Sequence, residues 1–324
     1  MRCRRQFGKS VAVTCPARGG EGGCGCGSIV SGGAGSAPRR DVHDFQEGVE
    51  PMAITLPTFT PLEDSLWLTL CARALDNRRP HPMLGDATAD QIVRTLDYDY
   101  RQFKITTNFI LNVALRAKKL DEVAAGFLAR HPDAVGLDLG AGLDTRFERL
   151  APPPSVDWYD VDFPAVATAR KGLVPEHPNT HVIGADVRDP DWLDTVPSDR
   201  PAIITADGLM GFLTKDELVS LLDRLIDHFP SGEMVFNSYT RFTIWVARHA
   251  RGTKSVAELV KFPGVDDPHD LEGWNPKLKL VKEIALSREP EIAEFPPGQR
   301  LYYRLQARST AWSRMGTIVL HYRF

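Results

Sequence analysis

The chain has 324 residues, 43% hydrophobic and 25% charged, with 39 Lys and Arg against 42 Asp and Glu for a formal net charge of -3 at pH 7. A globular chain of this size buries one large sheet with its covering helices. The slight acidic excess argues against nucleic acid as a partner, and no uninterrupted apolar run of about eighteen residues offers a membrane span.

The N-terminal segment differs in kind from the rest. Arg2, Arg4, Arg5, Lys9, Arg18, Arg39 and Arg40 face only Glu21 among acids before Asp41, and Gly19 to Gly35 is a glycine, serine and alanine tract with too little apolar surface for a core. Residues 1–55 therefore read as a disordered Gly/Arg-rich segment and residues 56–324 as the folded domain. The Arg-rich, acid-poor opening also has the composition of an organellar transit peptide, although its amphipathic pattern is poor. A start at Met52, with the residues before it outside the native protein, is the reading preferred. Cys3, Cys15, Cys24 and Cys26 all lie in this tract, leaving Cys71 in the body. A body with one cysteine forms no internal disulfide, which suits a reducing cytoplasm. Cys24-Gly-Cys26 lacks the second pair that a metal site needs, so no metal is expected.

Leu62, Leu66, Leu70 and Leu75 recur at near-helical spacing and predict a helix over 62–76. After the breaker Asn77-Arg-Arg-Pro-His-Pro82, a second helix begins at Thr88 and runs to Leu96. A long amphipathic helix then carries Phe109, Val113, Leu120, Val123 and Phe127 and closes at His131-Pro132. Helices in this position cover a ligand site on the sheet that follows.

That sheet begins where the apolar run 134–139 breaks into Gly140-Ala-Gly142. A strand ending in a glycine turn lets backbone pass close to a ligand. A dinucleotide fingerprint would need a third glycine where this chain has Thr145, so a dehydrogenase site fits poorly. Asp138 instead suits a ligand with an amino group, such as the methionine end of S-adenosylmethionine. The second strand, from Val156, ends in Asp160 and Asp162, where a carboxylate accepts both hydroxyls of a ribose. A third, from Thr180, ends in Asp186, placed for an adenine amino group, with Val187 counted beside it. A fourth, 202–206, ends in Asp207-Gly208. Four strands ending in Gly or Asp align their polar groups along one edge of a parallel sheet. Thr214-Lys-Asp-Glu217 is a capping box opening a helix through Ile226 that stops at Pro230-Ser-Gly232. A fifth strand covers 233–239. Residues 241–275 are mixed and polar, with a short helix over 266–274, and 279–286 and 316–324 form a closing pair of strands.

The strings Leu139-Gly-Ala-Gly-Leu-Asp-Thr-Arg146, Asp160-Val-Asp-Phe-Pro164, Gly184-Ala-Asp-Val-Arg-Asp189 and Asp207-Gly-Leu-Met-Gly-Phe-Leu213 resemble successive motifs of the leucine carboxyl methyltransferase family. Leu96-Asp-Tyr-Asp-Tyr100 and Val113-Ala-Leu-Arg-Ala-Lys118 fit its bacterial branch, which includes tetracenomycin-type polyketide O-methyltransferases. The resemblance spans about residues 60 to 324. It implies a class I, Rossmann-like α/β fold: a doubly wound, mostly parallel seven-stranded sheet with an antiparallel last strand and an N-terminal helical cover. It implies S-adenosylmethionine as cofactor, held by Arg116 (its carboxylate), Asp138, Gly140, Gly142, Asp162, Asp186, Val187 and Asp207, with Asp160 competing with Asp162 for the ribose. Three positions depart from the family: Asp207 stands for the usual Glu, Gly211 for a bulky residue, which opens space in the pocket wall, and Lys118 for a second arginine.

The implied activity is O-methylation of a carboxyl or hydroxyl on a small molecule, a secondary metabolite such as a polyketide, in the cytoplasm. The alternatives are methylation of a protein C-terminal carboxylate and a non-catalytic adenosyl-binding regulatory module. No residue is assigned a catalytic role. His131, His177 and His269 sit beside prolines as solvated loop residues, His228 complements a helix dipole, and His249 and His321 have no assigned place. The lack of an evident base favours a carboxyl acceptor. Tyr98, Tyr100 and Tyr239 are candidates for the acceptor pocket, with core packing as their plainer reading.

Overall fold

The computed structural model describes residues 57, 59–60, 62–63, 65–96, 105–249 and 259–324. The expectations for residues 1–55, for Tyr98 and for Tyr100 lie outside these described residues.

Seven strands form one sheet: β1 (Val135–Leu139), β2 (Asp157–Asp162), β3 (Thr180–Gly184), β4 (Ala202–Ala206), β5 (Gly232–Ser238), β6 (Lys279–Ala285) and β7 (Ile318–Arg323), in the spatial order β3-β2-β1-β4-β5-β7-β6. The first five run parallel, and β7 enters antiparallel between β5 and β6. The chain winds outward from β1 to β3 and returns to β4, so the order reverses between β1 and β4. This reversal opens a crevice at their carboxyl ends. β1 and β4 are covered on both faces, so every residue in them is buried and all but Asp138 and Thr205 are apolar or glycine.

Three helices precede the sheet: α1 (Ser65–Asn77), α2 (Ala87–Thr95) and α3 (Thr107–Arg130). Asp86 caps α2 through the Ala89 N–H, and Thr106 caps α3 through that of Phe109. Leu111, Leu115 and Leu120 of α3 pack with Trp158, Ile203, Val235 and Val319 of the sheet, while α1 and α2 form a separate core with Leu143 and Val166. Cys71 is fully buried in that second core, and burial pushes its thiol up to about 12, leaving it protonated.

Between strands run α4 (Arg146–Leu150), α5 (Pro164–Leu173), α6 (Lys215–His228) and α7 (Arg241–His249), followed by α8 (Pro297–Gln306) and α9 (Thr310–Arg314). The capping box predicted at Thr214 and Glu217 is present in both directions. The short helix expected over 266–274 is a 3₁₀ helix, Pro268–Gly273. Pattern reading missed α7 and α8, whose large apolar residues face outward: Phe242, Trp245, Leu301 and Tyr302 are at least half exposed.

Gly136, buried in β1, lies against the Trp158 ring; a Cβ built there would overlap the ring. Gly136→Ala is therefore expected to cost about 1–3 kcal/mol through overpacking, seen as a lowered thermal midpoint; an unchanged midpoint would show that the ring moves freely.

Candidate functional site

The crevice is a cavity of about 360 Å³ bounded by the ends of all five parallel strands and by α1 and α3. Its floor is the glycine turn. Gly140 and Gly142 adopt φ of +66° and +53°, a region that side chains disfavour. The Gly142 N–H donates to Asp162 Oδ2 at 2.7 Å, and the Phe163 N–H to Asp162 Oδ1 at 2.7 Å. Burial pushes the Asp162 carboxyl upward, opposed by these two bonds.

Asp138, Gly140, Gly142, Asp162, Asp186, Val187, Asp207 and Arg116 all line this one cavity; Asp160 does not. Asp160 is 3% exposed and bound by Arg170 Nε and Nη2 at 3.0 and 2.6 Å and by the Trp158 indole N–H at 3.1 Å. Arg170 also donates to the carbonyls of Gly142 and Asp144. Asp160 thus braces the turn from below, and Asp162 alone of the two acids faces the hollow.

Asp138 lines the cavity with its carboxylate already engaged, by Arg146 Nη1 at 2.5 Å and the Thr205 hydroxyl at 2.9 Å. The ladder explains the arrangement: Asp138 lies level with Asp160 on β2 and Thr205 on β4, a polar row across three buried strands. Burial pushes Asp138 up to about 7, against the pull of Arg146 and with help from Asp144 and Asp160. An amino group from a ligand would have to compete with a guanidinium here, so the geometry favours a structural role over the ligand contact read from sequence.

The arginines were the larger omission of the sequence reading. Arg146, 1% exposed, spreads its three nitrogens over Asp121, Asp138 and Asp144 at 2.9, 2.5 and 3.2 Å. Arg149 binds Asp86, Asp121 and Asp144, and Arg73 of α1 joins Asp86 to the Leu143 carbonyl. Thr145, where a dinucleotide site has glycine, donates to Asp86 at 2.5 Å. The turn is held by ion pairs to its cover helices, and the arginines at positions 146 and 149, three residues apart, were the available signal.

At the β3 end, Asp186 accepts both Nε and Nη2 of Arg188, which holds its carboxyl below the usual range; Arg188 also reaches Glu217 at 3.2 Å. At the β4 end, Arg116 Nε lies 2.5 Å from Asp207 Oδ1, off the direction of a hydrogen bond, so both buried atoms lack one. Burial works against the Arg116 charge, but Asp207 and Tyr239 outweigh it and raise its pKa. Lys118 points elsewhere, to Glu291 at 2.9 Å. Gly211 is in the wall, and a Cβ there would meet only Val260 at ordinary contact, 3.7 Å, so the glycine does leave the wall open.

No histidine is among the described residues that line the cavity. His177 pairs with Glu148, His228 with the Val196 carbonyl at 2.9 Å and His321 with Glu233 at 2.8 Å. His177 is thus a partly buried loop residue in contact with Glu148. Phe109, Leu209, Phe212, Ile244 and Phe262 contribute apolar wall.

The donor set suits a nucleoside carrying an amino acid. Arg116 offers a cation for a carboxylate and Asp207 an acid for an ammonium, Asp162 matches a diol and Asp186 an exocyclic amine, in that order along the sheet edge.

Among the described residues no helix is long and apolar enough to cross a membrane. Residues 67–226 match the family model for leucine carboxyl methyltransferase. The tetracenomycin polyketide synthesis O-methyltransferase TcmP of Streptomyces glaucescens is 38% identical over 265 residues, 82% of this chain and 97% of that protein. The S-adenosyl-L-methionine-dependent methyltransferase dpfgK of Gibberella zeae is 33% identical over 247 residues, 70% of this chain and 83% of that protein.

Proposed function

Because the chain belongs to the leucine carboxyl methyltransferase family, we propose that it methylates an oxygen of a polyketide-like small molecule, using S-adenosylmethionine, in the cytoplasm, with residues 56–324 as the catalytic domain. The observation that carries this reading is the convergence of Gly140, Gly142, Asp162, Asp186 and Asp207, from four parallel strands, on one cavity that Phe109, Leu209, Phe212, Ile244 and Phe262 also line.

Arg116 and Asp207 hold the amino-acid end of the cofactor, Asp162 its ribose, and Asp186 with Val187 its adenine; Gly140 and Gly142 give the backbone its close approach. Asp138 and Asp160 act on the turn. When bound, S-adenosylmethionine supplies a methyl group activated by a sulfonium. The task left to the chain is to align an acceptor behind that carbon and to keep water away. With no histidine among the described residues that line the cavity, an acceptor already ionised near pH 7 fits best, which is a carboxylate.

Calorimetry with S-adenosylmethionine followed by a tritium-transfer screen over carboxylic acids and phenols tests the reading. Binding and preferential labelling of acids are expected. Binding without transfer to any small molecule would point to the regulatory module or, if a peptide carboxylate is labelled, to a protein acceptor. Absence of binding would end the proposal.

A further inference from the structure

Tyr239 directly follows β5, one strand beyond Asp207 at the end of β4. The nucleoside-facing acids Asp186 and Asp162 lie on the other side of Asp207, at β3 and β2. Neighbouring strands are about 4.8 Å apart, so the cavity edge runs from the adenine end through Asp207 to Tyr239, and what lies beside Tyr239 is beyond the cofactor's amino-acid end. The wall there carries the apolar Ile244 and Phe262.

The tyrosine is fixed from behind. Its carbonyl accepts the Val265 N–H at 2.9 Å, and Gly264, at φ +101°, packs so closely that a Cβ would meet this carbonyl oxygen at 2.5 Å. Its hydroxyl accepts a hydrogen bond from Arg116 Nη1 at 3.2 Å. A guanidinium only donates, so the Tyr239 proton is directed elsewhere, and no acceptor for it occurs among the described residues. A hydroxyl that accepts from a cation is also polarised into a better donor.

We propose that Tyr239 is the donor that grips the acceptor: its O–H binds one oxygen of the acceptor carboxylate while the other oxygen faces the methyl group, and Arg116 sets the direction of that O–H. The inference rests on the methyl-transfer reading above. In the reaction the free carboxylate oxygen forms the O–CH3 bond as the S–CH3 bond breaks, the electron pair remains on sulfur, and Tyr239 keeps its proton throughout.

The test is calorimetric, on wild type and Tyr239→Phe, each titrated first with S-adenosylhomocysteine and then, when loaded, with 1-hydroxy-2-naphthoate as an aromatic acid probe. Wild type is expected to bind the naphthoate and Tyr239→Phe to bind it about tenfold or more weakly, the ratio for a lost hydrogen bond to a charged group. The Kd for S-adenosylhomocysteine should stay within about twofold, which also reports an intact fold. Equal naphthoate binding by the two proteins overturns the inference, as does a loaded wild type that does not bind the naphthoate. A loss confined to S-adenosylhomocysteine overturns it as well, by assigning Tyr239 to the cofactor. A wild type that cannot bind S-adenosylhomocysteine is a separate result, which takes down the methyl-transfer reading itself.

Discussion

Arg146→Met is expected to lower folding stability by about 3–5 kcal/mol, the cost of removing one partner from a buried ion pair. The methionine would recover some apolar burial, worth at most about 1.5–3 kcal/mol, but Asp138, Asp144 and Asp121 would keep their desolvation without this cation. Arg146→Lys should rescue only part of the loss, because one ammonium cannot reach three carboxylates in the directions that a guanidinium does. The deficit has a predictable pH dependence. Asp138 has a folded pKa raised by burial to about 7, so its contribution to stability is complete below about pH 4 and is lost as pH rises through 7. Without Arg146 the folded pKa rises further. The variant should therefore be closer to wild type near pH 5 than near pH 9, as measured by urea unfolding at both pH values. A deficit that shrinks with rising pH, or is absent, would mean that the network is not what holds the turn.

Asp162→Asn is expected to weaken S-adenosylhomocysteine binding by about 10- to 100-fold, or about 1.5–3 kcal/mol, the range for hydrogen bonds to a charged group. Both oxygens already accept a backbone N–H, from Gly142 and Phe163. Asp162 also lines the cavity, where an amide nitrogen would present a donor to a ribose hydroxyl instead of an acceptor. Asp160→Asn is the informative contrast. Its carboxylate is bound to Arg170 and hidden from the cavity, so the thermal midpoint should fall with little change in Kd. The reverse pattern, with Asp160→Asn losing the ligand and Asp162→Asn retaining it, would mean that the two acids have been assigned to the wrong roles.

The sequence by itself was enough for the order of the strands and the edge at which polar groups collect. Strand-ending glycines and acids, a capping box at Thr214 and a closing strand pair are local patterns, and local chemistry reads them without knowledge of the rest of the chain. What only the tertiary structure decided was the direction in which each charge faces. Asp160 and Asp162 are two residues apart on one strand, so alternation assigns them to the same face; the helix carrying Arg170 then covers the first, while the second reaches past the strand end to the Gly142 amide. Asp138 looked like a ligand contact until Arg146, eight residues later, folded back onto it. Such pairings join residues that no periodicity relates, because they depend on where a helix lands after a turn. That the apolar residues of α7 and α8 face outward is likewise a tertiary outcome, because burial depends on neighbours distant in the chain.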